Sequence, residues 1–168
     1  MIDAQLSSSA QRVQDALSHQ GLSCKVVELP GSTRTAIEAA QAVGCTVGQI
    51  VKSLVFRTKR TRKAILILAS GTNRVDEKLV EIILTEPIER ADPDFVREQT
   101  GFAIGGIPPI GHANPLTTLI DEDLLQYVEV WAAAGTPHAV FPIDPKELDR
   151  ITAGQVVRIC PASGKTNS

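Results

Sequence analysis

The sequence predicts one mixed α/β domain of the α+β type, in which helices flank a curved, barrel-like, mostly antiparallel β-sheet. Three observations predict this fold. The 168 residues are 43% hydrophobic and 21% charged, which is typical of a globular domain long enough to bury a core. Helical and strand segments mix without strict alternation, and the later strands come as hairpins. No repeat or linker divides the chain, so we expect a domain over residues 1–160 and a disordered polar tail over 161–168.

Helices are predicted where a capping residue precedes apolar residues at helical spacing. The predicted helices begin after Ser7–Ser9, Thr35, Asp76, Asp92 and Asp144. Thr35 and Glu38 have the spacing of a capping box, in which each residue satisfies a backbone amide near the helix start. The helix after Asp76 is expected to turn four apolar residues inward, namely Leu79, Val80, Ile82 and Ile83.

Strands are predicted where short apolar segments are bounded by turn residues. They cover residues 24–29, 50–56, 64–69, 86–90, 116–120, 127–132, 139–143 and 155–160. A basic stretch, residues 57–63, separates two of them and contains five Lys or Arg residues in seven. This arrangement predicts a hairpin with a positively charged tip. The tip could grip backbone phosphates through Lys59, Arg60 and Arg62, and the alternative is a solvated loop without a ligand.

Lys52 is the first candidate functional residue. Residues two apart in a strand share a face, so Lys52 lies on the same face as Ile50, Leu54 and Phe56. A lysine among large apolar side chains needs a partner or a function, because burying its charge is costly. The alternatives are a side chain that extends to solvent from the end of the sheet, or one that pairs with a carboxylate.

The loop over residues 101–112, Gly-Phe-Ala-Ile-Gly-Gly-Ile-Pro-Pro-Ile-Gly-His, is the second candidate. Its two adjacent glycines leave backbone amides uncovered and can adopt angles closed to other residues. Its two adjacent prolines stiffen the chain that follows. Such a loop could cradle a carbonyl group in an apolar pocket, and the alternative is a structural turn. The candidate contacts are Gly105, Gly106, Ile107, Pro108, Pro109 and His112.

Other features of the sequence exclude several classes of protein. The net charge of −2 provides no general basic field for a long nucleic acid, and the three distant cysteines suit neither a disulfide framework nor a zinc site. Walker, dinucleotide-binding and nucleophile-elbow motifs are absent. No signal peptide or membrane-length apolar run is visible. We therefore expect a cytoplasmic protein that needs no metal, cofactor or membrane.

Two segments taken together resemble the YbaK/ProX family, whose members are relatives of the editing domain of bacterial prolyl-tRNA synthetase. The segments are Gly48-Gln-Ile-Val-Lys-Ser-Leu-Val-Phe56 and Gly105-Gly-Ile-Pro-Pro-Ile-Gly-His112, and the similarity extends from about Ser9 to Cys160. The resemblance implies the fold of that editing domain. It also implies hydrolysis of the ester that joins a wrong amino acid to the 3′ adenosine of a tRNA. The expected substrate is tRNA(Pro) carrying a small residue such as Ala, Cys or 2-aminobutyrate.

The resemblance also assigns roles to the candidate residues. The family's lysine falls on Lys52, near the 3′-terminal nucleotide, and its GxxxP loop falls on residues 105–109, whose amides face the aminoacyl carbonyl. A water molecule attacks, oriented either by the tRNA 2′-hydroxyl or by a protein group. Pro108 replaces a serine that many relatives carry. The expected catalytic residues are Lys52, Gly105 and Gly106, and the expected substrate-binding residues are Ile50, Leu54, Ile107, Pro108, Pro109 and His112.

The expected partners are the aminoacylated 3′ end of a tRNA and an aminoacyl-tRNA synthetase. The alternative, from a different class, is a non-catalytic module that binds an aminoacyl-tRNA end or an amino-acid derivative. The sequence leaves this alternative open, because the chemistry implied by the resemblance needs no signature nucleophile.

Overall fold

The computed structural model describes residues 5–161, and its helices and strands occur in the predicted order. The helices are α1 (Ser8–His19), α2 (Ala36–Val43), α3 (Glu77–Leu84), α4 (Pro93–Thr100) and α5 (Leu148–Thr152). The strands are β1 (Val27–Glu28), β2 (Ile50–Thr58), β3 (Ala64–Ser70), β4 (Ile88–Arg90), β5 (Thr117–Asp121), β6 (Val130–Ala133), β7 (Ala139–Ile143) and β8 (Gln155–Val157). Apart from Pro161, the predicted disordered tail lies outside the described residues.

The strands form one mixed sheet in the order β1-β7-β6-β2-β3-β5-β8, with β4 added beside β2. Antiparallel pairing joins β1 to β7, β6 to β7, and β2 to both β3 and β4. Parallel pairing joins β2 to β6, β3 to β5, and β5 to β8. The predicted α+β architecture, with a mixed sheet flanked by helices, is confirmed.

Helix starts are fixed by the capping side chains that the sequence indicates. Thr35 Oγ1 accepts a hydrogen bond from the Glu38 amide at 3.1 Å, which satisfies one of the free amides of the first turn of α2. Asp76 accepts from the amides of Lys78 and Leu79 at the start of α3, and Asp92 does the same for Phe95 in α4.

Strand β3 lies at the centre of the core, and each of its residues is buried. Its alternate side chains face opposite sides of the sheet, as the pleat requires. Leu66 and Leu68 join a large cluster with residues of α1, α4 and α5, whereas Ile65 and Ile67 join a second cluster that includes Val80 of α3. The sheet therefore carries apolar packing on both faces.

Several local predictions are wrong, including the extent of the last strand, which is predicted over residues 155–160 and ends at Val157. The sequence predicts a strand over residues 24–29, but only Val27 and Glu28 pair with β7. It also predicts that Ile82 faces inward, yet Ile82 is 73% exposed. The reason is helical geometry: Val80 and Ile83, three residues apart, share the buried face, and Ile82 lies on the far side of the helix.

No helix among residues 5–161 combines the length and the hydrophobicity needed to cross a lipid bilayer.

Candidate active site

A cavity of about 640 Å³ opens beside β2. It lies where the strand paired with one edge of β2 changes from β6 to β4. On that edge β2 pairs with β6 only at Ile50 and Val51, and with β4 only at residues 56–58. The stretch between these two pairings has no strand partner on this side within the described sheet. The volume falls within the usual range for small-molecule sites, about 300–1,000 Å³.

Lys52 projects from this unpaired stretch and lines the cavity, together with Ile50 and Leu54 of the same face. Its Nζ donates a hydrogen bond of 2.5 Å to the carbonyl oxygen of Asn73. Burial lowers the pKa of the Lys52 ammonium below its ordinary value, the Asp121 carboxylate opposes this shift, and Arg74 adds to it. Lys52 makes no ion pair with any described residue, so this part of the structure does not show the carboxylate-paired alternative.

Asn73 is held in place by two carboxylates, and sequence reasoning did not single it out. Its side-chain Nδ2 donates to Asp121 at 2.8 Å and to Asp123 at 2.7 Å. Asp121 is 1% exposed and also accepts from the backbone amides of Ser70 and Asp123. Asn73, whose carbonyl accepts the hydrogen bond from Lys52, is therefore anchored to the ends of β3 and β5. This arrangement fixes the position of the Lys52 ammonium.

The glycine–proline loop reaches the same cavity from the opposite side. Ile104, Gly105 and Ile107 line it. Gly105 adopts a φ of 102°, a conformation that favours glycine. Within residues 5–161 its amide has no hydrogen-bond acceptor, so this N–H is available to a ligand. The structure thus brings Lys52 and the Gly105 amide to one cavity with apolar walls.

Gly106 has a different environment from its neighbour. It is buried, its amide donates to the carbonyl of Ala103 at 3.2 Å, and its carbonyl accepts from Gly135 at 2.8 Å. A Cβ at this position would lie 2.7 Å from three backbone atoms of Thr136. Glycine is required here by the close approach of the β6–β7 turn. The Gly106 amide, expected to be uncovered, already has an acceptor.

The end of the loop lies at a second cavity, between α1, α5 and residues 109–116. Pro109 and His112 line it, and neither lines the cavity of Lys52. Pro108 is buried, and its carbonyl lies 2.7 Å from His112 Nε2. Burial lowers the pKa of His112, and the hydrogen bond to Pro108 opposes this shift. The expected contacts of these three residues with substrate stay predictions, and they would require a ligand extending past the first cavity.

Several cavity residues were missed because they come from segments distant in sequence. Arg34 precedes α2 and Trp131 lies in β6; both line the cavity. Ser53 also lines it, and its buried Oγ has no hydrogen-bond partner among the described residues. Such an orphaned hydroxyl can receive a hydrogen bond from a ligand or donate one. Alternation along β2 places Ser53 on the face opposite Lys52 and so did not indicate it, and Arg34 and Trp131 carry no sequence signal either.

Residues 59–63 of the basic stretch form the turn between β2 and β3, and the predicted hairpin is confirmed. Lys59, Arg60 and Arg62 are exposed, and the Arg60 guanidinium donates to the carbonyl of Thr85 at 2.9 Å. Arg57 does not belong to this tip, because it lies in β2 and pairs with Glu89 at 2.6 Å. The predicted contact of the tip with tRNA stays a prediction.

The part of the chain that the structure describes contains no group of three or more His, Cys, Asp or Glu residues placed to hold a metal ion. The groups that the described residues present at the cavity include two cations, Lys52 and Arg34, a free backbone amide, one unpaired hydroxyl and apolar walls.

Comparison with known proteins places this geometry in a family. The family model of the aminoacyl-tRNA editing domain matches residues 31–151 of this sequence, a range that includes Lys52 and the glycine–proline loop. The chain belongs to this family. Membership confirms the resemblance expected from the sequence, and with it the predicted enzyme class, an aminoacyl-tRNA deacylase.

Individual relatives of this editing domain cover most of the chain. A crystal structure described as that of a proposed trans-editing enzyme for prolyl-tRNA synthetase is 55% identical, with a TM-score of 0.88 over 94% of this chain and 100% of that one. The uncharacterised protein YwhH of Bacillus subtilis is 32% identical over 80% of this chain and 86% of its own length. EbsC of Enterococcus faecalis, named as a proposed Cys-tRNA(Pro)/Cys-tRNA(Cys) deacylase, is 24% identical over 74% of this chain and 76% of its own length.

Proposed function

We propose that this editing domain acts in trans on tRNA(Pro) charged with a small wrong amino acid such as Ala, Cys or 2-aminobutyrate. The observation that carries the proposal is that one cavity is lined by Lys52 and by Gly105, whose amide has no acceptor in the described part of the chain. The printed descriptions of two relatives, one linked to prolyl-tRNA synthetase and one to Cys-tRNA(Pro), support this choice of tRNA.

The proposed reaction is attack of water on the ester carbonyl. As the C–O bond to the ribose breaks, the 3′-oxygen takes a proton and the free amino acid leaves. In this proposal the Gly105 N–H donates a hydrogen bond to the carbonyl oxygen as negative charge develops there, which is where a fixed donor accelerates such a reaction most. The Lys52 ammonium orients the 3′-terminal nucleotide, and its hydrogen bond to the Asn73 carbonyl supports this role. Neither role requires a protein nucleophile.

The walls of the cavity support a small side chain as the group removed. Ile50, Leu54 and Ile107 provide apolar surface, and Ser53 provides a hydroxyl. Apolar walls distinguish side chains that differ by one methylene by only about 1–3 kcal/mol, so we expect overlapping activity on neighbouring substrates.

The test is a deacylation assay with tRNA(Pro) charged separately with Ala, Cys, Ser, 2-aminobutyrate and Pro. We expect release of at least one small residue at a rate well above that in buffer, and little release of Pro. Lys52→Ala should lose this acceleration. Saturable binding of a non-hydrolysable analogue without turnover of any ester would instead support the non-catalytic binding module.

We also propose that the hairpin tip contacts the tRNA and that a prolyl-tRNA synthetase is the functional partner. A cytoplasmic location and the domain limits 1–160 stay predictions. Co-purification of the two proteins in the presence of tRNA(Pro) tests the partnership.

A further inference from the structure

Arg34 occupies the rim of the Lys52 cavity without an assigned function. Its side chain is exposed, and its guanidinium has no hydrogen-bond or ion-pair partner among the described residues. Arginines at the surface commonly extend freely into solvent, but this one lies against the site. A Cβ built on Gly105 would be 3.3 Å from Arg34 Nε and 3.5 Å from its Cγ.

The backbone around Arg34 is fixed on both sides. Thr33 donates twice to the carbonyl of Pro137, from its amide at 2.6 Å and from its hydroxyl at 2.9 Å. Thr35 caps α2 through the Glu38 amide. The side chain therefore starts from an anchored position, and its stem lies along the surface that Gly105 leaves open. A substrate whose carbonyl meets the Gly105 amide would come within reach of this guanidinium.

The charges of the cavity favour an anionic group at this rim. Lys52 and Arg34 are its cations, and the lining includes no Asp or Glu within the described chain. The Lys52 ammonium already donates to Asn73, whereas the guanidinium has no partner among the described residues. The amino acid and the ribose of the substrate carry no negative charge. The 5′-phosphate on the same ribose carries negative charge. A planar guanidinium can donate two parallel hydrogen bonds to the oxygens of such a phosphate.

We propose that Arg34 binds the 5′-phosphate of the 3′-terminal nucleotide and thereby holds the ester against the Gly105 amide. This inference rests on the proposed deacylase function and adds to it a specific substrate contact. The cavity then takes an aminoacylated nucleotide, rather than an aminoacyl group alone.

Two minimal substrates test the contact: 3′-O-alanyl adenosine with a 5′-phosphate, and the same compound without it. For the wild-type protein we expect a higher kcat/KM on the phosphorylated compound. Arg34→Gln should lower kcat/KM on that compound by about 10–100-fold, which is the usual range for losing a charge-assisted hydrogen bond, and leave the other compound unchanged. Arg34→Lys should retain part of the preference.

A matched control is Arg90→Gln, which removes the same charge from an exposed position on β4 outside the cavity lining. It should keep the full preference for the phosphate. The proposal is overturned if Arg34→Gln affects both compounds equally, or if Arg90→Gln has the same effect as Arg34→Gln. If the wild type hydrolyses both compounds equally well, the phosphate contact is refuted while the deacylase function stands. If it hydrolyses neither these compounds nor any mischarged tRNA(Pro), the function itself is refuted.

Discussion

Gly106→Ala is the substitution whose effect the structure defines most sharply. The added methyl group would lie 2.7 Å from the N, Cα and C atoms of Thr136. These are backbone atoms, so no side-chain rotation can relieve the clash, and either the loop or the β6–β7 turn must move. Overpacking of this kind costs about 1–3 kcal/mol in free energy of unfolding. For a domain of this size that lowers Tm by about 2–12 °C.

The same displacement should reduce activity, because Gly105 precedes the clash and supplies the proposed donor to the ester carbonyl. A shift of about 1 Å can cost on the order of 100-fold in rate. Thermal unfolding and deacylation of mischarged tRNA(Pro) measure the two effects.

Gly31→Ala is the control, because no atom of residues 5–161 lies within 4 Å of a Cβ at Gly31, and neither glycine has a positive φ. Its free energy of unfolding should stay within about 0.5 kcal/mol of the wild type. If Gly106→Ala matches Gly31→Ala in both Tm and rate, the loop is not held against Thr136 and the reasoning is wrong.

Three further predictions concern the residues around the cavity and the hairpin tip. Burial lowers the pKa of Lys52 from its ordinary 10.5, so the unfolded chain binds this proton more tightly than the folded chain does. The free energy of unfolding therefore rises with pH between the lowered pKa and 10.5. Lys52→Met should remove this alkaline rise, which denaturant titrations at several pH values measure. Asn73→Ala should lower the free energy of unfolding by about 1.5–3 kcal/mol, because the buried Asp121 loses a hydrogen bond. It should also lower kcat more than it raises KM. Kinetics equal to those of the wild type would show that the residue-73 carbonyl needs no anchor. The third change neutralises the hairpin tip at Lys59, Arg60 and Arg62. The slope of log K for tRNA binding against log salt concentration should fall in magnitude by about 0.7–0.9 for each phosphate that the tip no longer neutralises. Filter binding at a series of salt concentrations measures this slope, and an unchanged slope would mean that the tip contacts only solvent.

Much of the fold could be predicted from local patterns in the sequence. The capping box at Thr35 and Glu38 marks the start of α2, because hydrogen bonds between neighbours in sequence decide where a helix begins. The basic tip between two apolar strands was also predictable, since β2 and β3 pair directly across it. Prediction failed where local pattern and tertiary packing differ, as at Ile82, whose apolar side chain faces solvent.

The site was predictable only in part. The position of Lys52 among apolar residues indicated its importance, and the adjacent glycines indicated a close backbone approach. The sequence could not show that the two glycines differ, with the Gly105 amide free among the described residues and the Gly106 amide bonded to Ala103. It also could not show Arg34 at the rim, because that contact depends on how α2 and the loop meet in three dimensions.

The central claim is that Lys52 and the Gly105 amide act on one ester in one cavity. A crystal structure with a non-hydrolysable analogue, in which an amide replaces the ester of 3′-alanyl adenosine 5′-phosphate, tests it most directly. We predict that the alanyl carbonyl oxygen lies within about 3.2 Å of the Gly105 nitrogen and that the ribose lies beside Lys52. An analogue bound at the second cavity beside His112, or bound away from Lys52, would contradict it.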